Sequence, residues 1–270
     1  MGTTTIGTGN ESEPGSRKNP QPSSPRSKLR RLARSALKRL LVHCGLRIPP
    51  LADPFLDIAK LSKGFQVRYL IDGGAYHGSV SNKLADMFPG SKVFAFEPEE
   101  ESYQALRQNT SGKGNIIALK LGLSSNSGKA ELHVNASRST SSLSARSPSG
   151  ERYYPEETAP IGTQTVEVVT LDRWAEGRGV QRIDILKLDL QGHELEALRG
   201  SIGLLRSSVR LVYTEVEFVR LYAGNCLFHE IASFLEQNGF DLHQLYDLHS
   251  GDDGRLLYGD ALFLRRGRKK

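Results

Sequence analysis

From Val67 onward, short apolar runs rich in Val, Ile, Leu and Phe alternate with stretches of helical periodicity. Strands buried on both faces of a mostly parallel sheet read this way. Strands are predicted at Val67–Asp72 (VRYLID), Lys92–Glu97 (KVFAFE), Asn115–Leu121 (NIIALKL), Ile183–Asp189 (IDILKLD), Arg210–Val216, Phe240–Tyr246 and Asp260–Leu264. Helices are predicted at Ser79–Phe88, Glu100–Asn109, His193–Leu198 and Phe228–Asn238. Two further segments, Lys129–Val134 and Thr165–Thr170, instead alternate apolar with polar residues, as half-exposed antiparallel strands do. The Ser-, Arg- and Pro-rich stretch between them has the look of an active-site loop.

The N-terminal fifth follows other rules. Residues 1–27 hold almost no large apolar side chain and are predicted to be a disordered tail. In the next segment Leu29, Leu32, Ala33, Ala36, Leu37, Leu40 and Leu41 form a helical stripe with basic residues off it. Residues 28–56 are therefore assigned as a basic amphipathic helix, over 28–42, and a Pro-rich linker. That helix would cap the core, pair with another subunit, or dock on a partner or membrane surface. Residues 57–270 form the folded domain. Charge sharpens this division, because the first 50 residues hold ten basic and two acidic side chains, a local excess of +8. With a total of +6, the remaining 220 residues carry −2, too little positive charge for a body that grips phosphates, so no nucleic-acid partner is expected. Cys44 and Cys226 form no CxxC pair, and neither a secretory pattern nor a membrane-length apolar run occurs, so the expectation is a cytoplasmic protein.

Chemistry gathers where the predicted strands end, as open α/β sheets require. Asp72-Gly73-Gly74-Ala75-Tyr76-His77-Gly78 joins an apolar strand to a helix through an acid and a glycine turn. No Gly-Lys-Ser/Thr follows, which excludes a P-loop, and Ala75 stands where the dinucleotide fingerprint needs glycine. Glu97 closes the second strand, suitably for accepting both hydroxyls of a ribose. Asp189 closes a third in Leu188-Asp189-Leu190-Gln191-Gly192-His193-Glu194.

Together with Leu171-Asp172, the segments Ile71–Gly78, Val93–Pro98 and Ile183–Gly200 resemble the FkbM family of methyltransferases, with Ile185–Gly200 the most specific block. The resemblance spans roughly Val67–Arg266. It implies a Rossmann-like α/β class I methyltransferase fold: a mostly parallel seven-stranded sheet, helices on both faces, and a β-hairpin or loop insertion. It further implies an enzyme using S-adenosylmethionine to methylate a hydroxyl of a small-molecule or sugar/glycan acceptor. Two positions depart from the family pattern, Tyr76 where Asn is common and Gln191 where Glu is common.

By the same resemblance, Asp72, Gly74 and Gly78 would hold the methionine end of the cofactor, Glu97 the ribose, and Gly122 and Leu123 the adenine. Methyl transfer to a hydroxyl needs a base. Asp189 is one choice. His193 is the other, because a helix N-terminus disfavours its charged form. Glu215, with Glu217 nearby on the same strand, and Arg138, in the polar loop, are assigned to the acceptor. No metal site is assigned, since Asp189 and Glu215 lack an identifiable third oxygen ligand. Two other readings stand beside this one: a non-catalytic scaffold of the same fold that docks through its basic helix, and a dehydrogenase, which Ala75 disfavours.

Overall fold

A computed structural model describes residues 53–267 of the chain. The expectations for residues 1–27 and for the helix over 28–42 lie outside the described residues. Asp53 accepts hydrogen bonds from the Phe55 and Leu56 amides, which caps α1 (Pro54–Leu61). Pro54, expected in the linker, is instead the first residue of this helix, where its missing N–H is harmless.

The chain then alternates as the pattern requires: β1 (Tyr69–Gly73), α2 (Ser79–Met87), β2 (Lys92–Phe96), α3 (Glu100–Thr110) and β3 (Ile116–Leu119). A digression follows, with β4 (Gly122–Leu123), β5 (Gly128–Asn135), α4 (Pro148–Tyr153), β6 (Pro160–Val169) and α5 (Leu171–Gly177). The winding resumes with β7 (Ile185–Leu188), α6 (Glu194–Arg199), α7 (Ile202–Ser207), β8 (Leu211–Glu217), α8 (Phe228–Gln237), β9 (Phe240–Ser250) and β10 (Leu256–Arg265).

Seven strands form one sheet in the order β3-β2-β1-β7-β8-β10-β9. The first five are parallel, and β10 runs antiparallel to both of its neighbours. The expected antiparallel insertion is a separate small sheet, β4-β6-β5, in which β5 and β6 pair antiparallel. The predicted strand Asn115–Leu121 proves to be shorter. It ends at Leu119, and Gly122–Leu123 pairs with β6 in the small sheet instead.

Alternate residues of the central strands feed two cores, one on each face. Ile71, Leu186 and Val212 pack with Trp174, Leu198, Leu204 and Ile231 from α5 to α8. Leu70, Ile185 and Leu211 pack with Ile58 and Leu84 from α1 and α2. Strands covered on both faces lose their polar alternation, which is why IDILKLD and VRYLID read as apolar runs. Among the described residues no helix is long and apolar enough to cross a membrane.

Candidate active site

The strand order reverses between β1 and β7, and open α/β sheets leave their ligand crevice at such a point. Register aligns the three strand ends: Gly73 pairs with Phe96 on one side and Leu188 on the other. Gly74, Glu97 and Asp189 therefore emerge side by side. Gly74 has φ 70°, and a Cβ there would lie 1.8 Å from the Asp189 carbonyl oxygen, so only glycine lets the turn cross β7 this closely.

A cleft of about 900 Å³, open to solvent, lies above this row. Gly74, Glu97, Gly122, Leu123, Arg138, Asp189 and His193 all line it. Seven of the sequence-assigned site residues thus meet in one place. Glu97 is only 7% exposed. Its Oε2 accepts from the Tyr76 amide (2.8 Å) and its Oε1 from the Glu99 amide (3.0 Å). Each oxygen keeps a further lone pair. Burial pushes the Glu97 carboxyl up to about 7 against the pull of those two amides. A buried carboxylate with spare acceptor capacity fits a vicinal diol. The first turn of α2 has no side-chain cap, while the Gly74 and Ala75 amides both donate to the Phe96 carbonyl. The amides free to meet a ligand carboxylate are hence those of α2, one step beyond the glycines.

Asp72 and Gly78 do not reach the cleft. Asp72 is fully buried, accepts from Ser81 Oγ (2.6 Å) and pairs with Lys187 Nζ (2.9 Å). Gly78 is the αL cap of α2, and a Cβ there would press on Leu106 and Thr110 of α3. Both residues shape the turn from behind. Lys187 was missed by the sequence reading. Its ammonium also reaches the Gly73 and Gly74 carbonyls (3.3 and 3.0 Å) and lies 3.8 Å from Asp189. Burial alone would lower its pKa, but Asp72 and then Asp189 outweigh that and hold it above the ordinary lysine value.

Asp189 belongs to two cavities. A second one, of about 700 Å³, shares Ser139, Asp189 and Gln191 with the first and is otherwise lined by residues such as Tyr154, Glu215, Glu217, Tyr222 and Tyr258. Gln191 bridges its acids, donating from Nε2 to Asp189 Oδ1 (2.8 Å) and Glu215 Oε2 (2.9 Å). Gln191 Oε1 lies 2.7 Å from the Tyr222 hydroxyl, and the Gln191 carbonyl accepts from Ser142 Oγ (2.6 Å). Its backbone sits at φ 54°, and the next residue, Gly192, at 89°. Glu194, 3% exposed, fixes this turn by accepting from the Leu190 (2.6 Å) and Gly192 (3.3 Å) amides. Burial first, then Asp189 and Glu194, keeps Glu215 well above the usual carboxylate range. Burial likewise carries Glu217 up to about 8.

His193 lines the first cavity but not the second. Its Nε2 is 3.0 Å from Ser124 Oγ, and burial lowers its pKa, favouring neutral imidazole. Arg138, assigned to the acceptor, also lines only the first cavity, where it pairs with Glu99 (3.1 Å) and Glu101 (2.9 Å) at the start of α3. Among the described residues no cluster of three or more potential metal ligands is present.

This sheet, with its cleft at the β1/β7 switch point and a second cavity adjoining it, defines an α/β protein of the Rossmann-like, class I methyltransferase type. More narrowly, the chain belongs to the FkbM methyltransferase family: the family's methyltransferase FkbM domain matches residues 72–242. It is similar to the 2-O-methyltransferase NoeI of Sinorhizobium fredii, 25% identical over 171 residues that cover 62% of this chain and 70% of that protein. It is similar also to methyltransferase sdnD of Sordaria araneosa, 27% identical over 216 residues, 70% of this chain and 79% of that one. A third relative, the hexuronic acid methyltransferase AglP of Haloferax volcanii, is 30% identical over 129 residues, 47% of each chain.

Proposed function

We propose that the protein transfers a methyl group from S-adenosylmethionine to a hydroxyl of a sugar or other small molecule. The observation that carries this reading is the pair of cavities joined at Ser139, Asp189 and Gln191. Two pockets with one carboxylate in their common wall suit an in-line displacement, which needs donor and acceptor on either side of the reacting atom. Relatives named as a 2-O-methyltransferase and a hexuronic acid methyltransferase support oxygen as the acceptor atom and a sugar as its bearer. The sparse cysteines favour a cytoplasmic setting.

In this reading the first cavity takes the cofactor. Glu97 accepts from its ribose hydroxyls, Gly122 and Leu123 flank its adenine, and the α2 amides meet its carboxylate. When bound, the cofactor supplies an electrophilic methyl group on a sulfonium. Asp189 takes the proton of the acceptor hydroxyl, since it faces both cavities. Gln191 orients that carboxylate through its 2.8 Å hydrogen bond. His193, restricted to the first cavity, packs beside the cofactor without receiving the proton.

Titration calorimetry with S-adenosylmethionine tests the donor half. Wild-type protein should bind at micromolar concentration. Glu97→Ala should weaken binding about 100-fold, because two hydrogen bonds to a charged acceptor are lost. A folded wild-type chain that binds no S-adenosylmethionine would overturn the proposal.

A further inference from the structure

The second cavity has a one-sided electrostatic character. Asp189, Glu215 and Glu217 contribute to its wall, and among the described residues none of those lining it is Lys, Arg or His. Of the cations near it, Lys187 is held by Asp72, the Gly73 and Gly74 carbonyls and, at 3.8 Å, Asp189. Arg220 is held by Glu230 and the Asn225 carbonyl, and Arg146, bridged to Tyr222 through the backbone, donates to the Pro155 carbonyl (3.3 Å). Glu217 is 3% exposed. Its Oε2 accepts from the Leu221 amide (2.9 Å) and from Asn225, whereas its Oε1 is buried with no hydrogen-bond partner. Glu217 is thus a buried acid of the lining that keeps one unpaired oxygen. Part of the lining is aromatic. Tyr154 and Tyr258 meet edge to face with ring centroids 6.0 Å apart, the kind of apolar surface on which the C–H face of a sugar ring rests.

Resting on the methyltransferase reading above, we propose that this cavity selects an uncharged sugar ring as methyl acceptor and rejects one that carries a carboxylate. A uronate would have to bury its charge beside Asp189 with no cation among the described lining residues to meet it, a burial that costs far more than it returns. The hydroxyls of a neutral ring find the complement they need. Burial holds Glu215 and Glu217 towards their protonated forms, so both can donate as well as accept. Rejection here is built from the cost of stripping water from a carboxylate that meets no described lining cation, an element set against the wrong substrate.

The test uses the full chain with S-adenosylmethionine and matched methyl glycosides: glucose against glucuronate, galactose against galacturonate, mannose against mannuronate. Transfer of a labelled methyl group gives kcat/KM for each. The neutral member should exceed its uronate at least 10-fold in any pair that reacts. Equal or preferred use of the uronate overturns the inference. So does a chain that binds S-adenosylmethionine yet methylates none of the six. A chain that fails to bind S-adenosylmethionine instead removes the methyltransferase reading on which the inference rests, so the two failures are distinguishable. Tyr154→Arg supplies the missing cation on the cavity wall. With its thermal melt unchanged, this variant should narrow the neutral-to-uronate ratio at least 3-fold, and an unchanged ratio overturns the electrostatic argument.

Discussion

The two cavities share a wall but are built by different means. The first is made of strand ends: Gly74, Glu97 and Asp189 stand in adjacent register because β2, β1 and β7 do. Glu97, its ribose-facing candidate, is held by two backbone amides. The second gathers side chains from residues 139–158, 189–191, 215–222 and 258, and holds three acids, one of which, Glu217, is left with an unpaired oxygen. A donor pocket set by the main chain will tolerate little change in backbone, whereas an acceptor pocket set by side chains can change its chemistry while the fold stands.

Gly74→Ala breaks the first half at its foundation, and the largest effect is expected here. The new methyl group would sit 1.8 Å from the Asp189 carbonyl oxygen with φ at +70°. Separating β1 from β7 and forcing alanine into that conformation should cost on the order of 3 kcal/mol, a fall in melting temperature of roughly 6–12 °C. Differential scanning calorimetry measures it. An unchanged melt would mean that the close crossing is not what holds the two strand ends together.

Asp189→Asn tests the shared wall, where the two halves should respond differently. Removing the proposed base is expected to lower kcat by about 100- to 1,000-fold while S-adenosylmethionine affinity changes less than about 3-fold. His193→Asn, confined to the first cavity, should lower kcat by less than about 10-fold. If the histidine variant is the more damaged of the two, the proton leaves through His193 and the assignment reverses.

The same contrast explains what sequence could supply. Buried parallel strands write continuous apolar runs, and the acids that terminate them stand out, so Glu97 and Asp189 were legible as the strand-end acids that line the cleft. Asp72 was legible as an acid but not as a buried partner of Lys187. A lysine inside the run IDILKLD was the available signal, since a charge in a doubly covered strand must be paired. The short helices α1, α5 and α7 escaped because six to eight residues give too few turns for a period to emerge. The aromatic part of the second cavity was illegible for another reason. Tyr154 and Tyr258 are far apart in sequence and meet only through the topology.

A stability measurement separates the buried acids of the second cavity from exposed ones. Glu217 holds its proton more tightly folded, with a pKa of about 8, than unfolded, near 4.5. Below 4.5 both states are protonated and the favourable neutral form is intact; as pH rises through 8 the folded state must bury a charge, and that stability is lost. His193 works in the opposite direction, its lowered pKa making the folded state bind fewer protons below about 6.5. The informative quantity is therefore the difference between wild type and Glu217→Gln, in which His193 cancels. Between pH 5 and pH 8 the wild type should lose on the order of 5 °C of melting temperature relative to the variant. Parallel curves would mean that Glu217 is already ionised at pH 5.

The smallest expected effect decides to which half the polar loop belongs. Arg138 was assigned to the acceptor from sequence, yet its guanidinium pairs with Glu99 and Glu101 beside the first cavity. Glu99 is buried, its side chain 4% exposed, and also caps α3 through the Ser102 amide (2.7 Å), so the loop is tied to the helix that follows Glu97. Arg138 itself is 29% exposed, and a pair screened on one side contributes about 1 kcal/mol at most. Arg138→Ala should therefore raise the KM for S-adenosylmethionine about 3- to 5-fold and leave the KM for the acceptor unchanged. An acceptor KM that rises alone would move Arg138 across the shared wall and give the second cavity the cation it lacks among its lining residues. That outcome would also undercut the expected rejection of carboxylates, so a few-fold change at this one residue bears on both halves of the site.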